Sequence, residues 1–286
     1  MWQTWESGLR RAGVTFECRY TEGEGHAVTL ARGAAGHDLV VAVGGDGTIN
    51  EVLDGIVQSG SPDLRMGVLY SGTSPDFCRF HGIPTEPEAA LQSLLGGGVR
   101  RVDVARIAYH DAAGQQQVSH FGCSCSIGMG AAVARAANRW RKHLGDTLGT
   151  GAAVVRALLG HRPVDLRVEI DGEVHSLPNT NNLSVVKNPF LASGLKLRLE
   201  VGPADGRLWV VGVHGKGWAG LCALLPGFYS GKATAASAVF VRPARVVTVT
   251  AEAPHEIEFD GDPRGFLPAR TEILPQALAL VGGAHD

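Results

Sequence analysis

The chain lacks a dominant charge: across 286 residues, 26 Lys and Arg stand against 28 Asp and Glu, a formal net charge of −2 with a pI near 6.6. No basic stripe or polybasic run is left over for a phosphate backbone or an anionic membrane, so nucleic acid is excluded as an expected partner. Long hydrophobic runs are also missing. The longest fall far short of the ~20 apolar residues of a membrane span, and MWQTWESGLRR at the start carries no basic-then-apolar signal pattern, so no transmembrane segment is expected. Cysteine is scarce and odd in number. Cys18, Cys78, Cys123, Cys125 and Cys222 show no CxxC spacing, and Cys123 and Cys125, two apart, would share one face of a strand. They read as reduced thiols in a cytoplasmic protein. No H-x-x-H pair, metal-ligand cluster or Ser-His-Asp order stands out among the 11 histidines.

What is present supports a globular protein. At 44% hydrophobic and 19% charged the chain can bury a sizeable core, and its length exceeds the usual single domain, so two domains are expected. Residues 1–95 alternate helical and strand patterns: a helix near 2–12, VTFECRY with apolar positions at period two, a helix near 24–35, then DLVVAV. LVVAV has the near-continuous apolar character of a parallel strand covered on both faces. TINEVLDGIV sets Ile49, Val52, Leu53, Ile56 and Val57 on one helical face, ending at Gly60-Ser61-Pro62. MGVLY, the polar SGTSPD and a helix through PEAALQSLL follow. Past residue 100 the grammar changes to short β-prone runs between turn residues: VRRVDVARIAY, QQVSHFGCSCSIG, VDLRVEI, EVHSL, NLSVVK, LKLRLEV, RLWVVGV, ARVVTVTA and HEIEFD. This predicts an antiparallel β domain with inserted helices (GAAVARAANRWRKHLG with GTGAAVVRALLG, and KGWAGLCALLPGF). The domain junction falls near residue 104, giving units 1–104 and 105–286.

VVAVGGDGTINEV concentrates the chemistry. Glycines after a buried strand allow close backbone approach to a ligand, and successive N–H groups at a helix N-terminus form an anion-binding concavity, for which phosphate is the natural occupant. Thr48 with Glu51 also reads as a capping box, T-x-x-E, but Gly44-Gly45-Asp46-Gly47 is richer in glycine than a cap requires. Other phosphate motifs fail. PGFYSGKA at 226–233 has Pro226 for the first Walker glycine and Ala233 for the metal-binding hydroxyl, GMGAAV and GTGAAV lack the third dinucleotide glycine, and no H-R-D kinase signature occurs.

These residues resemble the diacylglycerol kinase catalytic domain family, bacterial lipid kinases with sphingosine-kinase-like relatives. VVAVGGDGTINEVLDGI carries that family's GGDGT-x-NEV signature. SGTSPDFCRFHGIP is similar to its GT-x-NDFAR-x-LGIP, and VRRVDVARI to its vDxg strand. VVKNPFLASGLKLRLEVGPADGRLWVVGV and EIEFDGDPRGFLPARTEILPQALALV resemble its later N…P-x-a…DG-x-L and closing DGE segments, so the likeness spans nearly the whole chain in order.

The resemblance implies a doubly wound, NAD kinase-like α/β domain followed by an antiparallel β-sandwich, with ATP in the cleft and magnesium-dependent phosphorylation of a lipid hydroxyl at a membrane surface. By position, Thr21, Gly44, Gly45, Asp46, Gly47, Thr48, Ile49, Asn50 and Thr73 would line the nucleotide. Asp205 would hold Mg²⁺ with carbonyls near Gly202 and Arg207. Asp262, in the Asp260-Gly261-Asp262 run, would be the general base, with Asp260 beside it. Such parts suit phosphoryl transfer, which needs positioning and charge neutralisation more than covalent help. Asp46 would face phosphates through Mg²⁺ or reach a ribose hydroxyl. The literal DGE at Asp171-Gly172-Glu173 sits between two alternating apolar runs and reads as a hairpin turn, while a turn stays open for Asp205-Gly206 and Asp260-Gly261. WAGLCALLPGF would pack in the core or border a lipid-admitting groove. A homodimer is compatible with the sequence.

The chain departs from the family pattern at three places. Family members begin with a strand and an Asn-Pro-x-x-Gly loop that have no counterpart before this first helix, an arrangement expected to leave LVVAV unpaired on one side and suggesting an upstream start or a truncated gene. Ser74-Pro75 replaces Gly-Asn, removing a backbone donor and an amide. Asp262 replaces Glu, shortening the base by about 1.5 Å. A lipid kinase is the leading expectation, with a catalytically weakened nucleotide- or lipid-binding homologue and an NAD kinase-like enzyme as alternatives.

Overall fold

The computed structural model describes residues 1–129, 162–191, 195–259 and 262–283. The helical run expected at 131–160 and Asp260 lie outside these residues, and of Asp262 only the backbone is described. The first part alternates α1 (Trp2–Arg11), α2 (His26–Arg32), β1 (Leu39–Gly44), α3 (Asp46–Ser59), β2 (Arg65–Tyr70), the short α4 (Asp76–Phe80) and α5 (Pro87–Gly96). There follow β3 (Val99–His110), β4 (Gln116–Phe121), β5 (Ser124–Gly128), β6 (Val164–Ile170), β7 (Glu173–Val186), β8 (Phe190–Leu191), β9 (Leu195–Lys196), β10 (Leu208–His214), α6 (Trp218–Tyr229), β11 (Val239–Ala244), β12 (Val246–Thr250), β13 (Glu256–Phe259) and the 20-residue β14 (Asp262–Val281).

β1 and β2 run parallel, and the strands after β2 pair antiparallel except where β14 lies parallel to β2. Ala42, Met66 and Val68 share one core with Ile49, Leu53 and Ile56 of α3 and Ala27 and Ala31 of α2. Leu69 packs into another with Trp5, Leu9, Leu91 and Leu94 of α1 and α5. The alternation of β2 therefore sends successive side chains to helices on opposite faces. Trp5, fully buried, also donates its indole N–H to the Pro87 carbonyl at 2.9 Å. A third, larger core fills the β-rich C-terminal region, with Val168, Leu183, Val185, Val210, Val247 and Ile257 at its centre.

β14 joins these cores. Its first half pairs with β13 and β12, and its last residues lie between β2 and β3, where Leu278 and Leu280 enter the α3 core. The ladder with β3 shifts between Leu274 and Leu278, and Gln276 there has φ +51°. The Asp103 carboxylate accepts the Gln276 N–H at 2.9 Å, which supports this costly conformation.

Five sequence expectations need correction. VTFECRY forms no strand; residues 14–20 have no regular secondary structure and are exposed, apart from half-buried Phe16 packed edge-on to Trp2. A period-two pattern becomes a strand only where a neighbour supplies ladder partners, and among the described residues β1 pairs with β2 alone. For the same reason β1 is only partly buried, with Val43 37% exposed. LKLRLEV contributes only the two residues of β9, and EVHSL with NLSVVK makes the single strand β7. Cys123 and Cys125 do not share a face: Cys123 precedes β5 and packs in the α3 core, Cys125 in the large β core. The Asp171-Gly172 hairpin forms as expected, with φ +50° and +90° and Ile170 opposite Glu173.

His81, buried at the end of α4 between the Phe77 and Phe80 rings, has its pKa lowered from 6.5 to about 3 by burial and by the nearby Arg100 and Lys187 charges. Its imidazole is neutral in the folded chain, whereas the unfolded chain takes up a proton as pH falls below 6.5. Stability is therefore complete above pH 6.5 and declines toward pH 3 by about 1 kcal/mol per unit of pH from this group. Urea denaturation of His81→Phe across pH 7 to 5 is expected to show a slope shallower by that amount than the parent chain.

Candidate functional site

The site is built where β1 runs into α3. Gly45 is the N-cap of α3 in an extended conformation, and the helix opens on Asp46, two residues before the expected Thr48. The N–H groups of its first turn have no partner within the helix, and the dipole adds positive character. The expected capping box does not form. Glu51 instead accepts from the Gly25 N–H at 2.8 Å and the Ala27 N–H at 3.1 Å, so it caps α2. That bond draws the exposed turn carrying Thr21 toward α3, and Glu22 N–H donates to His26 Nδ1 at 3.0 Å within the same turn.

The segment 71–76 closes over this helix end. Ser71 N–H donates to the Gly44 carbonyl at 2.9 Å and Asp76 N–H to Asp46 Oδ2 at 3.0 Å. Between these bonds the two loops touch through bare backbone: a Cβ on Gly72 would lie 2.5 Å from Gly45 Cα and 2.8 Å from the Tyr70 hydroxyl. A Cβ on Gly44 would strike the Thr48 side chain at 2.6 Å. The glycine excess noted in the sequence thus answers to contact between loops as well as to an open helix end. Thr73 is exposed beside the contact, Thr48 is half-buried, and Ile49 and Asn50 are buried. Ile49 belongs to the core, and Asn50 Oδ1 accepts the Gly122 N–H at 3.3 Å, so these two act through packing and inter-loop bonding.

Charges at this end are tuned by burial. Burial, with the Asp46 charge adding to it, raises the Tyr70 hydroxyl pKa, keeping it neutral, and pushes the Cys78 thiol up to about 12, which leaves it an inert core group. Pro75 is the N-cap of α4, where it offers no N–H; Ser74 Oγ donates to Asp76 Oδ2 at 3.1 Å.

Two later segments reach the same place. Asn188, fully buried after β7, donates to the Asp76 carbonyl at 2.8 Å and accepts the Phe190 N–H at 2.8 Å. Arg264, near the start of β14, lies 3.7 Å from Glu51 and 3.9 Å from Glu24, which brings the strand that begins with Asp262 against α3 and the 21–25 turn. Neither Asn188 nor Arg264 stood out as a site residue in the sequence. A polar residue after the apolar NLSVVK run and an Arg beside the DGD run were the available signals.

The groups assigned to magnesium do converge, around a side chain. Asp205 Oδ1, the Gly202 carbonyl and the Arg207 carbonyl lie 2.6, 2.7 and 3.3 Å from Lys187 Nζ, and Asp103 Oδ2 lies 3.0 Å from it. A metal ion does not fit that position as arranged. Among the described residues no group of three His, Cys, Asp or Glu side chains is disposed to hold a metal.

With this geometry in view, family models match twice: the diacylglycerol kinase catalytic domain over residues 1–107, and the YegS C-terminal NAD kinase beta sandwich-like domain over residues 123–282. The chain belongs to the diacylglycerol kinase family of lipid kinases. A Mycobacterium tuberculosis relative named diacylglycerol kinase is 28% identical over 254 residues, 88% of this chain and 79% of its own. One from Staphylococcus saprophyticus with the same name is 26% identical over 278 residues, 95% and 86% of the two chains. A solved diacylglycerol kinase structure from Bacillus anthracis superposes with a TM-score of 0.68 at 18% identity, covering 97% of this chain and 91% of that one. A second structure from that organism reaches 0.76 at 21% identity, covering 97% and 92%. At these identities the structural likeness speaks for the fold alone.

The packing of the two loops generates a direct test. Gly72→Ala is expected to destabilise the protein by about 1–3 kcal/mol in urea denaturation, because backbone blocks the added methyl. Gly96→Ala, where nothing lies within 4 Å, is expected to change stability by under about 0.5 kcal/mol.

Proposed function

We propose that this chain transfers the γ-phosphate of ATP to the hydroxyl of diacylglycerol or a related lipid alcohol, acting in the cytoplasm at a membrane surface. The observation that carries the reading is the α3 N-terminus held open under the 71–76 loop: first-turn N–H groups and glycine clearance suit a nucleotide phosphate, in a chain whose family is one of lipid kinases. The γ-phosphorus accepts the lipid hydroxyl oxygen as its bond to the bridging oxygen of ADP breaks, and the hydroxyl proton passes to a carboxylate. Asp262 is the proposed acceptor, with Asp260 beside it. Support comes from Arg264, whose ion pairs with Glu51 and Glu24 hold the start of β14 near the phosphate end of α3. Magnesium would enter with ATP as part of the substrate, and Asp46 is the carboxylate that would meet it or a ribose hydroxyl.

The division into a doubly wound α/β unit, 1–104, and a β-sandwich unit, 105–286, belongs to the same proposal. Its support is the separation of the cores, with the end of β14 returning to the first. For lipid contact the proposal names α6, whose sequence WAGLCALLPGFY carries no charge. Leu221 is buried, but Ala219, Cys222, Ala223, Pro226 and Tyr229 are exposed, so the helix is only partly used as core. A second reading, a homologue that binds nucleotide with weakened catalysis, is favoured by Pro75, which withholds an N–H at the N-cap of α4.

The test is radiolabelled ATP with a panel of lipid micelles and with NAD as a soluble acceptor. Label in a diacylglycerol-derived product, reduced ~100-fold or more by Asp46→Ala at unchanged circular dichroism, is the expected outcome. ATP binding with no labelled lipid supports the weakened homologue, and label in NAD overturns the lipid reading.

A further inference from the structure

Lys187 is the least expected residue in the core. It follows Val186 at the end of β7, its side chain is 1% exposed, and its partners come from two separate stretches of chain. Asp103 is contributed by the middle of β3, Gly202 and Asp205 by the loop between β9 and β10, and Arg207 by the residue before β10. The four oxygens are two carboxylates and two carbonyls, a hard-oxygen set of the kind that holds divalent cations. Their distances from Nζ, 2.6–3.3 Å, are those of an ammonium donating hydrogen bonds; Mg²⁺ needs about 2.0–2.1 Å and Ca²⁺ about 2.3–2.6 Å.

The surrounding bonds show a cage completed around that single charge. Asp205 Oδ2 accepts the Gly202 N–H at 2.9 Å and Oδ1 the Arg207 N–H at 3.1 Å, folding the loop on its own aspartate. Asp103 accepts the Gly206 N–H at 2.7 Å and the Gln276 N–H at 2.9 Å, so no carboxylate oxygen of the cage lacks a donor. A dication added beside Nζ would meet a fixed positive charge on a side chain that is itself 1% exposed.

We propose that Lys187 is the resident cation of this cage, an ammonium carried on the chain that replaces a divalent metal, and that the loop 202–207 is consequently ordered without metal. The cage also reaches the candidate site, because Lys187 N–H donates to the Cys123 carbonyl at 2.8 Å and the next residue, Asn188, donates to the Asp76 carbonyl. Removing the ammonium while leaving space should turn the cage into a metal site. None of this depends on which substrate the protein phosphorylates.

Thermal unfolding of the full chain, in EDTA and in millimolar MgCl₂ or CaCl₂ without nucleotide, tests the assignment. The parent chain is expected to show the same Tm in all three. Lys187→Ala is expected to lose roughly 10 °C in EDTA and to recover at least half of the loss with one of the cations. Lys187→Met, which fills the space without a charge, is expected to be destabilised with no recovery. A Lys187→Ala protein indifferent to both cations overturns the proposal. Should Lys187→Ala fail to fold, titration calorimetry of the parent chain decides: no Mg²⁺ or Ca²⁺ binding upholds the assignment, and binding that is lost in Asp205→Asn overturns it.

Discussion

The ion pair between Asp103 and Lys187 is the constraint on which both halves of the molecule depend. Asp103 is 3% exposed, and an unpaired carboxylate at that depth would cost several kcal/mol. Its neighbours are correspondingly numerous: the ammonium of Lys187, the Gly206 N–H, and the Gln276 N–H at the kink of β14, while its own N–H donates to the Pro203 carbonyl at 2.8 Å. One side chain thus fixes where β14 leaves the large β core and enters the α3 core. Hydrogen bonds to a charged group are the strong ones, which suits a point where three chain segments must agree on position.

From that seam the order passes to the N-terminal end of α3 in short steps. Lys187 sets the position of Asn188; Asn188 holds the carbonyl of Asp76; the N–H of Asp76 meets Asp46. The C-terminal region therefore shapes the N-terminal end of α3 without supplying the glycine turn itself. A second tie runs from Asp54 on α3 to His120, whose backbone N–H and Nδ1 both lie within 3.0 Å of the same carboxylate oxygen. Asp54 also accepts the Gln58 side-chain amide at 2.8 Å, so a buried polar network ties α3 to β4 and rigidifies the helix.

Most helices and strands could be read from periodicity, because α1, α3, α5, β2 and β3 bury the faces their patterns declare. The glycine turn was legible for the same reason: its local composition exceeds what a helix start needs. Long-range pairing was not. VTFECRY has strand character but no ladder partner among the described residues, a fact about neighbours that no window contains. Glu51 looked like half of a cap on its own helix, whereas its carboxylate reaches Gly25 and Ala27, 26 and 24 residues away. The metal role of Asp205 is implied by the family resemblance alone, and the charge that meets it, Lys187, lies 18 residues earlier in an otherwise apolar run.

The course of β14 has a consequence for synthesis on the ribosome. Leu278 and Leu280 are fully buried in the core built by α2, α3 and β2, and Val281 lies against α1 and α5. That core is assembled from residues between Ala27 and Cys123 together with Leu278 and Leu280, so it stays incomplete until those two leucines have been translated. During that interval the apolar faces of α3 and β2 are open to water, a state that invites association with other chains and engagement by chaperones.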